Sequence, residues 1–232
     1  MKRLKKIFIA ICLAIIPVFY ACEEEEGYAI GNFTTPSWAT IATNGDGFYL
    51  YDDTWGTLWP INQSLHTENN GYQPTDGQRV IATYNPISDN YYEYDHAVKI
   101  LSLTEVLTKG VEILTPENEE TLGNDPITIH KGNLTIGGNH MNIIYQQEIP
   151  AENKHRITLV RPASDDELLG EDGYLHLQLC YNTYNDITGY QASNAVSFNL
   201  ESLPLESAKG IKLKLHSKVN GEVEIELPYY IK

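Results

Sequence analysis

Cysteine, basic residues and long apolar runs are all scarce in this 232-residue chain, and each shortage excludes something. Three cysteines occur, Cys12, Cys22 and Cys180, and only Cys180 lies beyond the N-terminal segment. One thiol makes no internal disulfide, so burial of a core must hold the exported part together. Lys and Arg number 16 against 31 Asp and Glu, a formal charge of −15. An acidic surface repels phosphate backbones, which argues against nucleic acid as a partner and against anionic lipid held by charge alone. The apolar run from Ile7 to Phe19 is about 13 residues, short of the roughly 20 that cross a bilayer as a helix. Paired-cysteine and His-Glu-x-x-His motifs are missing, as is a Gly-x-Ser-x-Gly elbow. Structural zinc and serine-based acyl transfer therefore lose their usual signatures. His66, His96, His130, His140, His155, His176 and His216 are scattered without metal spacing. No cofactor is implied.

The N-terminus carries an address. Lys2, Arg3, Lys5 and Lys6 precede the apolar run, and Ala21 supplies the small residue of a cleavage site before Cys22. Residues 1–21 read as a signal peptide. Cys22 then reads as the acceptor of a lipid, which makes the protein anchored rather than spanning. Two competing readings are an uncleaved anchor and a secretory peptide with an incidental Cys22, because Phe19 and Tyr20 are bulky there. Cleavage leaves 12 basic and 31 acidic side chains, a net −19. Residues 22–36 form an acidic tether, in which Glu23, Glu24, Glu25 and Glu26 repel one another and stay extended.

From Ser37 onward, short alternating runs broken by Gly, Pro, Asn and Asp predict strands and turns. Trp38 to Thr43 and Phe48 to Tyr51 flank Asn44-Gly45-Asp46-Gly47, a hairpin signal. Gly77 to Tyr84 and His96 to Leu103 add strands. Four or five strands in this space suit a closed barrel of the OB type over residues 37–114. Thr115 to Glu120 reads as a linker, stopped by Pro116. Seven or eight short candidate strands follow, which argues for a β-sandwich over 115–232. Its last hairpin alternates Ile211, Leu213 and Leu215 with Lys212, Lys214 and His216. Past Asn220-Gly221, Val223, Ile225 and Leu227 alternate with Glu222, Glu224 and Glu226. The fold class is all-β.

Chemistry-bearing candidates are few. Asp165, Asp166, Glu171 and Asp172, or Asp46 with Asp52 and Asp53, supply oxygens of the kind calcium takes, though neither cluster matches a known loop spacing. They read first as acidic turns. Cys180 lies in the alternating run Tyr174 to Tyr181 and reads as a structural thiol. Tyr91, Tyr92 and Tyr94 sit in a loop, either packed on the barrel edge or offered to a ligand. Gly137-Gly138-Asn139-His140 and Gly123-Asn124-Asp125-Pro126 read as turns.

A series of segments carries a family resemblance. They are Phe48-Tyr49-Leu50-Tyr51-Asp52-Asp53, Asp76-Gly77-Gln78-Arg79-Val80-Ile81, Leu107-Thr108-Lys109, Leu122 to Pro126, Met141-Asn142-Ile143, Lys154 to Val160 and Val196 to Leu200. In order and spacing they resemble the NigD-like lipoproteins of Bacteroidetes across nearly the whole mature chain. The resemblance implies an OB-like domain followed by a β-sandwich. It departs at Cys180-Tyr181-Asn182, where the family pattern has Arg-His-Asn, so no role of that basic pair carries over. An acidic run after the lipid-bearing cysteine is similar to the signal that sends lipoproteins of that group to the outer face of the outer membrane. The leading expectation is a non-catalytic envelope protein, on the periplasmic or cell-surface face, that binds an envelope protein, toxin or glycan. The alternatives are a bacteriocin immunity protein and an enzyme acting on envelope polysaccharide, which requires paired carboxylates.

Overall fold

A computed structural model describes residues 36–45, 47–64 and 73–229. Cys22 and Glu23 to Glu26 lie outside the described residues, as does Asp46. Five strands form the first body: β1 (Ser37–Asn44), β2 (Gly47–Asp52), β3 (Gly56–Pro60), β4 (Arg79–Tyr91) and β5 (Tyr94–Glu105). They close as a barrel in the order β1-β2-β3-β5-β4. Alternation decides which side chains point inward. Ala39, Ile41, Phe48, Leu50, Leu58, Val80, Ala82, Tyr84, Val98 and Ile100 fill the interior. β4 runs seven residues past Tyr84, where the sequence pattern ends, and crosses Pro86. It does so through register shifts at Thr83/Tyr84 and Pro86/Ser88. A bulge is where a strand accommodates a proline, and it also supplies the bend that closure needs.

The second body is a sandwich of two sheets. One has the order β14-β13-β11-β10-β7 and the other β6-β12-β9-β8. Its strands are β6 (Leu107–Gly110), β7 (Glu112–Ile113), β8 (Leu134–Gly137), β9 (His140–Glu148) and β10 (Arg156–Arg161). β11 (Leu175–Asn182), β12 (Gln191–Asn199), β13 (Gly210–Ser217) and β14 (Gly221–Pro228) complete it. Two single-turn helices, α1 (Glu119–Leu122) and α2 (Asp165–Leu168), sit between strands. The all-β expectation holds. Residues 107–113, which the sequence groups with the barrel, instead give one short strand to each sandwich sheet. β6 pairs in parallel with β12 and β7 with β10. Lys109 then spans the sandwich, its ammonium donating to the Ile157 carbonyl at 2.7 Å. Burial lowers its pKa.

The sandwich core holds Met141, Ile143, Leu159, Leu177, Leu179, Phe198 and Leu213 among others. The four-stranded sheet is unusual on its other face. His140 and Asn142 on β9 and Ser197 on β12 alternate with core residues yet are buried. A polar residue on an outward position is buried only if something covers it, and here the barrel does. Cys180 is buried against Leu122 and Val160, and burial pushes its thiol up to about 11.

Candidate functional site at the barrel–sandwich junction

Arg79 is the largest fully buried side chain of the described residues. It opens β4 and crosses from barrel to sandwich. Its guanidinium makes a two-pronged pair with Asp53, at 2.8 Å and 2.7 Å. It donates to Thr40 Oγ1 at 2.9 Å, to Asn142 Oδ1 at 2.9 Å and to Ser197 Oγ at 3.3 Å. Asn142 in turn donates to Asp53 at 2.9 Å, and Ser197 to Asn142 at 2.7 Å. Every polar group of this cluster therefore has partners, which is the condition for keeping a charge in a dry interface.

The turn between β8 and β9 makes room for it. Gly138 and Asn139 have φ of 52° and 58°, a two-residue hairpin turn with both central residues left-handed. A Cβ on Gly137 would sit 2.7 Å from the Asp53 side chain. The glycine lets the sandwich backbone approach the carboxylate.

Beside this cluster a cleft of about 1120 Å³ opens between the two bodies. Tyr51, Asp52, His140, Glu201, Glu206 and Tyr229 are among its walls. Asp52 accepts from the Tyr84 hydroxyl at 2.9 Å and from the amides of Thr54 and Trp55. Burial chiefly, with the Asp52 charge, raises the Tyr84 pKa strongly. His140 Nδ1 faces the Gly138 carbonyl at 2.5 Å. Burial lowers its pKa, and Arg79 adds to that, against the Gly138 carbonyl, Asp53 and Glu201, which favour the cation. Asp52, Asp53 and the His140 imidazole are engaged in holding turns and the junction.

Tyr51 also begins a row of aromatic rings on the outside of the barrel. Tyr51 meets Tyr49 at 5.2 Å between centroids, Tyr49 meets Tyr94 at 5.1 Å, and Tyr94 meets Trp59 at 4.8 Å. The Tyr49 hydroxyl lies 3.1 Å from that of Tyr51, and this contact with burial raises its pKa to about 12. Of the loop tyrosines, Tyr94 is buried in this row at the head of β5. Tyr92 is 85 % exposed with its ring against Tyr91. The row faces outward from β2 and β3, the surface that barrels of this kind use for ligands.

The acidic candidates are dispersed. Asp172 accepts from Lys212 Nζ at 2.7 Å and from His176 and the Tyr174 amide. The Lys212 hydrogen bond leads in holding its carboxyl far below the usual range. Asp165 meets Arg161 at 3.2 Å. Asp165, Asp166, Glu171 and Asp172 do not converge, and among the described residues no three His, Cys, Asp or Glu side chains gather to hold a metal ion. Asp53, from the other cluster, is committed to Arg79.

Arg79 itself carried no sequence flag beyond its place in a resembling segment. A lone arginine opening an apolar strand run in an acid-rich chain was the available signal. Four of those segments meet here, through Asp53, Arg79, Asn142 and Ser197.

Family models match two consecutive stretches. Residues 38–106 match the NigD-like N-terminal OB domain, and residues 110–229 match the NigD-like C-terminal β-sandwich domain. No curated protein matches. Among solved structures, a protein of unknown function from Bacteroides vulgatus aligns with a TM-score of 0.73 at 22 % identity, over 86 % of this chain and 92 % of that one. A putative toxin-related protein from Parabacteroides distasonis gives 0.68 at 25 %, over 84 % and 92 %. A NigD-like immunity protein from Bacteroides caccae gives 0.58 at 19 %, over 83 % and 91 %. On the two domain matches, which together run from residue 38 to residue 229, this chain belongs to the NigD-like family.

Proposed function

We propose that the protein is a lipid-anchored, non-catalytic binding module of the bacterial cell envelope. Cys22 bears the lipid, Glu23 to Glu26 direct display on the outer membrane, and a partner seats on the barrel. The observation that carries the binding reading is the ring row Tyr51-Tyr49-Tyr94-Trp59, which leads into the cleft beside Arg79. Aromatic side chains give large contact area at low entropic cost, and they recur at the centres of interfaces. The non-catalytic reading rests on the cleft's titratable groups. Asp52, Asp53 and His140 each hold backbone, the Tyr84 hydroxyl or the domain junction.

The test is recovery of a partner from solubilised outer membranes with the lipidated protein as bait. Wild type retains the partner. A Tyr49→Ala/Tyr51→Ala variant, folded by its thermal transition, loses it. Equal recovery with both baits refutes the row as the binding surface. Mass spectrometry of the natively made protein reads the lipid on Cys22, and an unacylated first residue ends the anchoring claim. Protease access on whole cells, before and after neutralising Glu23 to Glu26, reads the membrane face.

A second reading, toxin neutralisation, draws on two solved relatives, one named an immunity protein and one toxin-related. Under it, deletion of the gene sensitises cells to a toxin encoded nearby. Unchanged sensitivity ends it.

A further inference from the structure

We propose that β14 is a docking edge for an extended segment of another protein that carries Lys or Arg at alternate positions. Unpaired strand edges invite foreign strands, and proteins shorten or close them. The barrel is closed. At the remaining sheet borders, β7 has two residues, and β6 and β8 have four each. β14 is the longest open border: eight residues, paired on one side with β13 and, among the described residues, with no strand on the other, against the shorter stretches 191–195 of β12 and 156–159 of β10 that β6 and β7 leave uncovered.

Its two faces specify the visitor. On the inner face Val223, Ile225 and Leu227 touch the sandwich core but remain half-exposed, so the apolar layer stops short at this border. On the outer face the charges alternate by strand. β13 offers Lys212, Lys214 and His216, directly opposite Glu226, Glu224 and Glu222 of β14. Lys212 makes its shorter contact with Asp172, at 2.7 Å against 3.8 Å to Glu226, and His216 stands 3.9 Å from Glu222. The three exposed carboxylates therefore keep a net negative row at the border. The strand that continues this alternation is basic outside and apolar inside. Opposite charges across a strand pair stabilise and like charges oppose. The same row thus rejects a second copy's β14 and the chain's own acidic tether. Backbone pairing supplies the affinity and the side chains the choice of partner. This site is separate from the aromatic row and stands whether or not that row binds.

The test uses the purified chain and a labelled peptide of about ten residues alternating Lys with Val, a length matched to one strand. Its counterpart replaces Lys with Glu. Fluorescence anisotropy reads binding, and hydrogen exchange reads its place. The Lys peptide binds, more weakly in high salt, and slows exchange in residues 221–228. Glu222→Gln/Glu224→Gln/Glu226→Gln weakens it about tenfold, the sum expected of three exposed pairs, and the matching Lys triple variant abolishes it. The Gln variant keeps the assay meaningful if the Lys variant folds poorly. Several results overturn the proposal: no binding of the Lys peptide, equal binding of both peptides, protection elsewhere, or self-association of the free chain through β14.

Discussion

Removing the Arg79 side chain should be the most damaging single change in this protein. Arg79 has no exposed side-chain surface, and Asp53 keeps 10 %. Arg79→Met retains much of the aliphatic volume and deletes the guanidinium. Asp53 is then a nearly buried carboxylate with only the Asn142 amide as a side-chain partner. Breaking one half of a buried pair costs about 3–5 kcal/mol. For a domain of this size, each kcal/mol lowers Tm by about 2–4 °C, so the transition should fall by roughly 6–20 °C. Asp53→Ala should cost a similar amount, because it strands the arginine instead. The double variant Arg79→Met/Asp53→Ala should cost several kcal/mol less than the sum, since no orphaned charge remains, while Ser197 and Asn142 still bond to each other. Denaturant unfolding by circular dichroism measures all three. The arginine also ties one body to the other, so its loss should separate the barrel and sandwich transitions. A single variant that costs under about 1 kcal/mol, or strictly additive costs, would refute the reasoning.

His140 has a depressed folded pKa. The stability it allows is therefore complete above its ordinary value of 6.5 and is lost as pH falls toward the lower folded one. His140→Gln should flatten that acid limb of a stability profile, and an unchanged limb would exclude His140 as its source. The Cys180 thiol, raised to about 11 and buried, should resist thiol reagents at neutral pH until the chain unfolds, and labelling at the unfolded rate would contradict its packing. Gly138→Ala places a methyl within 2.5 Å of the Asp53 carboxylate at a φ of +52°. It should cost about 1–3 kcal/mol and should do so much less in an Asp53→Ala background. Asp186 accepts from the amides of Ala151, Glu152 and Asn153. Asp186→Ala should speed hydrogen exchange at those three positions while leaving the sheets protected.

Strands whose alternation faces one core and one solvent were legible in the sequence. The β13–β14 hairpin pairs Lys212 with Glu226 and Lys214 with Glu224, the pattern its residues spell out. The Gly138-Asn139 turn was legible for a different reason, because few residues tolerate left-handed backbone. Three things were not. β6 and β7 have short exposed patterns and owe their existence to partners far along the chain, which local periodicity does not encode. β4 outlasts its apolar pattern because bulges carry it past Pro86. The segment Ile127 to Ile129, apolar at alternate positions, makes only isolated bridges, Ile127 to Ser217 and Thr128 to Gln146. At the junction the difficulty was different. Asn142 and Ser197 stand on outward positions, where a polar residue looks like a solvated one. Only the docking of the barrel makes them interior. The aromatic row was partly visible as tyrosines in a loop, but its members come from β2, β3 and β5 and gather only when the barrel closes.

The parallel pairing of β6 with β12 sets a timetable. Leu107 to Gly110 must wait for Val196 to Asn199 before it has a neighbour, whereas the barrel's strands all lie between Ser37 and Glu105. A chain that emerges N-terminus first can therefore complete its barrel while the sandwich strands are still to come. Until β9 and β12 emerge, Asn142 and Ser197 are missing and Arg79 has only its barrel partners, Asp53 and Thr40. The half-born protein is a finished cylinder with an uncovered ion pair, and assembly ends when the late sheet arrives to cover it.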